Sequence, residues 1–134
     1  MADDATFPVR AREMLDAFAK GWSKGRVDLL VDLFHPQAIF LETPFAQPMQ
    51  GVDAIRAWAA DIPYHQSEIV LTTGEVFVAG PWFSSEFKLV FRRRKTGEWV
   101  DARGALFAET DGHKITELRM YWHRFNGGRE TAPP

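Results

Sequence analysis

No cysteine occurs among the 134 residues, which excludes disulfides, thiolate nucleophiles and cysteine-based zinc sites. Excess charge is scarce as well. Eighteen acidic against sixteen basic residues leave a net charge of -2, whereas non-specific nucleic-acid binding normally requires a clear basic excess. No apolar run approaches the length that spans a bilayer, and Met1 to Thr6 is acidic where a secretory signal would start basic and then turn apolar. These absences predict a cytoplasmic protein with neither a nucleic-acid nor a membrane partner. The four histidines, His35, His65, His113 and His123, have neither the i, i+4 spacing nor the acidic partner of a metal site, so no metal is expected. Chemistry is left to carboxylates, His, Arg, Tyr, Trp and hydroxyls. A 46% hydrophobic and 13% aromatic composition supplies the core of one domain, and the length is too short for two.

Helical periodicity dominates the N-terminal part. Met14, Leu15, Phe18 and Trp22 recur at helical spacing within Val9 to Trp22, with Arg10, Arg12, Asp16 and Lys20 on the other side. Gly21 and Gly25 bracket the end of this helix. Val27, Leu30, Val31 and Phe34 form a second, shorter helical face that is expected to stop at His35-Pro36, because proline disfavours helix in the residue before it. A third helix is predicted over Val52 to Ala60, ending before Pro63.

From there the period changes to that of strands. Glu68 to Ala79, Trp82 to Arg93, Glu98 to Glu109 and Lys114 to Phe125 are rich in Val, Ile, Phe, Thr and Trp and are separated by turn-forming residues. Helices followed by an antiparallel meander predict an α+β layout with the helices on one face of the sheet and a pocket between them. One domain over residues 1–126 and a disordered tail over 127–134 are expected. Alternation on the last strand places Leu118, Met120 and Trp122 on the interior face and Arg119, Tyr121 and His123 on the other. On the strand before it, Asp101, Arg103, Ala105, Phe107 and Glu109 oppose Ala102, Gly104, Leu106 and Ala108. Both sets contain apolar residues, so either could face inward.

The stretch Phe40 to Trp58 places one carboxylate, Glu42, between a short apolar strand, Ala38 to Leu41, and the third helix, with two prolines and a glycine between. An acid in an apolar, weakly solvated site has its charged form disfavoured, which raises its pKa toward the range useful for taking a proton from carbon. The alternative is a carboxylate on the pocket rim, bonded to Gln50 or to amides at the start of helix three. Asp101 and Arg103 could line the pocket with it or pair at its edge. The basic run Arg92 to Lys95 reads as a solvated hairpin tip.

These residues carry a resemblance. The segment Gly25-Arg-Val-Asp-Leu-Leu-Val-Asp-Leu-Phe34, the strand Ala38 to Glu42, Gly51-Val-Asp-Ala-Ile-Arg56 and Gly112-His-Lys-Ile115 leading into Glu117-Leu-Arg-Met-Tyr-Trp122 resemble the NTF2-like superfamily, in its SnoaL-like and ketosteroid-isomerase-like branch, over roughly residues 9 to 125. The resemblance implies an α+β cone in which three N-terminal helices pack on a strongly curved, mostly antiparallel sheet around an apolar pocket, and a homodimer formed through the outer sheet face. It implies no cofactor and no single function, because that cone hosts isomerases, cyclases, hydrolases and binding modules. Glu42 falls at the position of the isomerase's catalytic base. Phe18 stands where that enzyme has a donor tyrosine, and its second donor falls near Ala105. Glu42 is therefore the candidate base, with Arg103, Trp22 and Trp122 as the donors left for a developing enolate. An epoxide hydrolase of the superfamily uses an Asp-Arg-Asp arrangement to activate water, and the resemblance to it makes Glu42, Asp101 and Arg103 the alternative catalytic set. Phe18, Trp22, Phe34, Trp58, Met120 and Trp122, joined by Phe45, Phe107 and Leu118, are the expected contacts of a small hydrophobic or aromatic molecule.

Overall fold

Helix α1 spans Phe7–Lys24 in the computed structural model, which describes residues 6–125. The tail expected to be disordered lies outside them. Pro8 sits in the first turn, where its missing N–H costs no helical bond. Phe7, Ala11, Met14, Leu15, Phe18, Gly21 and Trp22 form the buried stripe. Gly25 ends the helix in the left-handed region, at φ 65°. There its N–H and that of Arg26 donate to the carbonyls of Trp22 and Gly21, at 3.3 and 2.8 Å, a Schellman closure.

Helix α2 is only Val27–Val31. Phe34, expected on its face, instead begins β1 (Phe34–Leu41). That strand carries Pro36 through an irregularity, since its pairing slips between Phe34 and Ile39, and a bulge is where a strand tolerates proline. The short β2 (Met49–Gln50) leads into α3, which runs Val52–His65 and so continues past Ala60 with Pro63 inside it. Pro63 removes one backbone donor in the last turn. The terminal carbonyls find partners elsewhere: Arg94 donates from its Nε to the Pro63 oxygen at 2.6 Å and from its backbone N–H to the His65 oxygen at 3.0 Å.

The remaining strands are β3 (Gln66–Thr73), β4 (Phe77–Ala79), β5 (Trp82–Arg93), β6 (Trp99–Thr110) and β7 (Ile115–Arg124). The sheet order is β2-β1-β7-β6-β5-β3, with β4 on β5. Every pairing is antiparallel except that of β1 with β7, so the sheet is mixed. Cross-strand partners share a face. Phe83, Ser85, Phe87, Leu89 and Phe91 of β5 lie opposite Ala108, Leu106, Gly104, Ala102 and Val100 of β6. The β5 set and, apart from Gly104, the β6 set are buried, which turns the even residues of β6 inward. On β7, Leu118 and Met120 are buried.

Five aromatic residues from three elements join α1, β1 and α3 over this inner face. The Phe18 ring meets Trp22 edge-on at 5.7 Å, Trp58 meets Trp22 at 5.0 Å and Phe40 at 4.7 Å, and Phe34 stacks on Phe40 at 5.9 Å. Such pairs contribute about 0.5–1.5 kcal/mol each beyond their buried area. Their functional consequence is that Trp58 is held in one orientation.

Candidate functional site

Glu42 follows β1 and continues the inward row of Ala38 and Phe40. It lies in the wall of a cavity of about 200 Å³ enclosed between α1, the end of β1 and strands β5 to β7. Most of that wall is apolar, from Phe87, Leu89, Phe91, Val100, Ala102 and Met120. The polar lining is Glu42, Gln66, Arg93 and Arg124.

Two indoles hold Glu42. Trp58 donates from Nε1 to a carboxylate oxygen, Oε2, at 2.9 Å, and Trp122 donates from Nε1 to the Glu42 backbone oxygen at 2.9 Å. The other carboxylate oxygen accepts no hydrogen bond among the described residues. Burial pushes the Glu42 carboxyl above its ordinary value, and the Trp58 bond pulls it part of the way back. A carboxyl raised on folding binds its proton more tightly in the folded state, so its contribution to stability is present at low pH and lost as pH rises through the folded-state pKa. Glu42→Gln, which keeps an acceptor for Trp58, is therefore expected to melt at a higher temperature than the wild type at pH 7. That gain should shrink as pH falls through the raised folded-state pKa and level off once pH is below the ordinary carboxylate value. Thermal melts across pH check this, and a gap that does not change with pH would contradict it.

The other expected site residues divide into five groups. Trp22, Met120 and Trp122 line the cavity with Glu42, with Trp122 at its edge and 38% exposed. Trp58 acts on the cavity through Glu42. Phe18, Phe34 and Leu118 are buried core residues outside the cavity wall, and Phe45, on the loop after Glu42, is fully exposed. Asp101, Arg103 and Phe107 occupy the odd row of β6, on the outer face of the sheet.

Asp101 and Arg103 are thus not brought together with Glu42. They form a two-pronged pair with each other, Nε to Oδ1 at 3.2 Å and Nη2 to Oδ2 at 3.3 Å. Arg103 borders a broad, open groove of about 740 Å³ on the outer face, beside Thr72, Glu86 and Lys88. The groove is the larger concavity, but it is open to solvent. The inner cavity is the less open of the two and combines apolar walls with a perturbed acid, the marks of a small-molecule site.

The expected donors differ too. Arg103 faces the other side of the sheet, the Trp122 indole is committed to the Glu42 carbonyl, and Trp22 donates from Nε1 to the Gln66 side-chain oxygen at 3.1 Å. Ala105 lies on the outer row, and its inward neighbours Gly104 and Leu106 have no side-chain donor. Donors on the cavity wall are instead the Gln66 amide, whose oxygen is taken by Trp22, and the guanidinium groups of Arg93 and Arg124. Strand parity could have found the two arginines. Arg93 extends the inward row of Phe87, Leu89 and Phe91, and Arg124 extends that of Leu118, Met120 and Trp122. Among the described residues no cluster of three or more His, Asp or Glu could hold a metal ion, and no helix is long and apolar enough to cross a membrane.

Solved structures of the same shape accompany this geometry. A protein of ketosteroid isomerase-like fold from Catenulispora acidiphila, crystallised with trimethylamine, is 20% identical, with 81% of this chain and 84% of that one covered at a TM-score of 0.74. The epoxide hydrolase/cyclase-like enzyme SalBIII, of pyran ring formation in the polyether salinomycin, is 16% identical, with 85% and 91% covered at 0.75. An LEH-like epoxide hydrolase from Mycobacterium tuberculosis is 13% identical, with 86% and 84% covered at 0.74. At these identities the likeness shows the fold. No curated protein matches the sequence. Residues 11–118, most of the chain, match the SnoaL-like domain family. With helices and a curved mixed sheet arranged as in the solved structures, the chain belongs to the SnoaL-like domain family of the NTF2-like superfamily.

Proposed function

We propose that the inner cavity binds a small, largely apolar molecule and that Glu42 acts on it as a general base, in a cofactor-independent isomerisation, cyclisation or hydrolysis. One observation carries this reading. Glu42 is a partly desolvated carboxylate in an apolar wall, held by Trp58 and Trp122, with one oxygen uncommitted among the described residues. A base of raised pKa is suited to taking a proton next to a carbonyl, and the developing oxyanion needs a donor. The Gln66 amide is the cavity's own candidate for that donor. The structural likeness to SalBIII and to the mycobacterial epoxide hydrolase supports an enzyme of this breadth.

The test is proton exchange. Incubating the protein in D2O with a panel of small aryl and alkyl ketones and keto acids should give deuterium at the carbon next to the ketone carbonyl, read by mass spectrometry. No incorporation above buffer across the panel would sink the base reading.

A second reading, a non-catalytic ligand-binding or dimerisation module, is favoured by the commitment of both cavity indole N–H groups to protein acceptors. It predicts ligand retention without exchange. In either case we propose a homodimer through the outer sheet face. There Phe107 and Tyr121 stand exposed with their rings 5.9 Å apart. Sedimentation as a monomer at micromolar concentration would remove the dimer.

A further inference from the structure

Two inward strand rows, apolar where they line the cavity, end in arginine, Arg93 on β5 and Arg124 on β7. Both guanidinium groups turn to a single acceptor. Arg93 Nε lies 3.5 Å from Glu98 Oε1, and Arg124 Nη2 bonds to that same oxygen. Among the described residues neither arginine has another carboxylate partner. Two guanidinium groups thus share one carboxylate, and among the described residues neither is paired with Glu42 across the cavity. In addition, the Nε of Arg124 is buried and, among the described residues, has no hydrogen-bond partner. A buried donor without an acceptor costs free energy, and native proteins rarely leave one without a reason.

We infer that this end of the cavity binds the carboxylate of the ligand, one oxygen accepting from Arg124 Nε, and that the ligand is a small apolar carboxylic acid rather than a neutral hydrocarbon or ketone. A neutral carbonyl would give the orphaned N–H only a neutral acceptor. A carboxylate gives it a charge-assisted bond beside two guanidinium groups that share a single glutamate. The small volume and mostly apolar wall leave room for a short alkyl or aryl body and no second charge. Orientation follows. Trp122 bonds to Glu42, and Arg124 lies two residues further along β7, about 7 Å at strand spacing. The carboxylate is thus held away from Glu42, and the apolar body passes over Trp122 toward the acid.

This inference rests on the inner cavity being the ligand site and not on Glu42 acting as a base. It is tested with two probes of one shape, 3-phenylpropionate and 3-phenylpropionamide, titrated by calorimetry at pH 7 and low salt. The wild type is expected to bind the acid at least about tenfold more tightly than the amide, as a charge-assisted bond in a partly desolvated site warrants. Arg124→Gln should abolish that preference through weaker acid binding, with the amide changed less than about twofold, within the uncertainty of a neutral contact. Arg124→Lys, which keeps the charge but loses the Nε–H, should restore part of it. Arg93→Gln should reduce the preference from the other strand, and it serves if Arg124→Gln does not fold by circular dichroism. Equal affinity of the two probes for the wild type, binding of neither, or an unchanged preference in both Arg→Gln variants overturns the inference. Loss of exchange in Glu42→Gln with the acid preference intact would leave this inference standing.

Discussion

Replacing Gly104 with alanine is expected to cost about 3 kcal/mol or more, the upper end for an overpacked interior position, and to lower the melting temperature by about 10 °C. A Cβ at Gly104 would sit 1.8 Å from the backbone oxygen of Tyr121 and 2.6 Å from the Cα of Trp122. Both are main-chain atoms of the facing strand, where Gly104 pairs with Trp122, so no side-chain rotation relieves the clash. Strand β7 would have to move away from β6. The opposing term is the entropy that alanine removes from the unfolded chain, about 0.4–1 kcal/mol, which is smaller. Gly74→Ala is the control, because there the nearest atoms to the new Cβ are 3.9 Å away and the change should stay within about 0.5 kcal/mol. Denaturant unfolding of the two variants separates the outcomes, and equal effects would show that β7 yields freely at this point. The position also has a functional reading. Trp122 opposite Gly104 anchors the Glu42 backbone, so a displaced β7 is expected to loosen the acid as well as destabilise the fold.

Glu42→Gln is expected to lower deuterium exchange on a responsive ketone by at least about a hundredfold, the low end for removal of a positioned general base. The substitution is nearly isosteric and retains an oxygen for the Trp58 N–H, so the cavity shape and the indole contacts of α3 are preserved. What is lost is the ability to take a proton. The loss should fall on kcat with KM little changed, the pattern of an interaction made only in the transition state. In the wild type the exchange rate should rise with pH until Glu42 is ionised, with an inflection above the ordinary glutamate value, because burial outweighs the Trp58 bond. Equal exchange by the two proteins would exclude Glu42 from the mechanism. An inflection at or below the ordinary glutamate value would mean that the acid in solution is not desolvated as the fold implies.

Strand content was legible where one local rule acted alone. Trp82–Arg93 is a strand over the range its alternation and the Gly80-Pro81 turn predict. The misreadings occurred where a distant group supplied what the local rule assumed missing. Helix α3 continues through Pro63 because Arg94 provides donors to its last carbonyls. Phe34 enters β1 rather than α2 because its strand can bulge around Pro36 and pair with β7, whose residues lie some eighty positions later. For β6, both parities contain apolar residues, so the face was decided by the register against β5, where Val100 meets Phe91 and Ala102 meets Leu89. That register moved Asp101, Arg103 and Phe107 out of the candidate site.

The sequence by itself determined the helical and strand periods, the absence of thiol chemistry, the resemblance to an NTF2-like cone and the place of Glu42 between β1 and α3. These follow from spacing within a few residues or from motifs that the chain carries in order. Tertiary structure decided which groups meet. It committed the indole N–H of Trp22 to Gln66 and that of Trp122 to the Glu42 carbonyl, and set Phe45 outside the cavity. It also brought Arg93 and Arg124 to the end of the cavity. The reason is physical. A hydrogen-bond donor's availability and a carboxylate's solvation depend on atoms contributed by other elements, and those are fixed only when strand register and helix packing are.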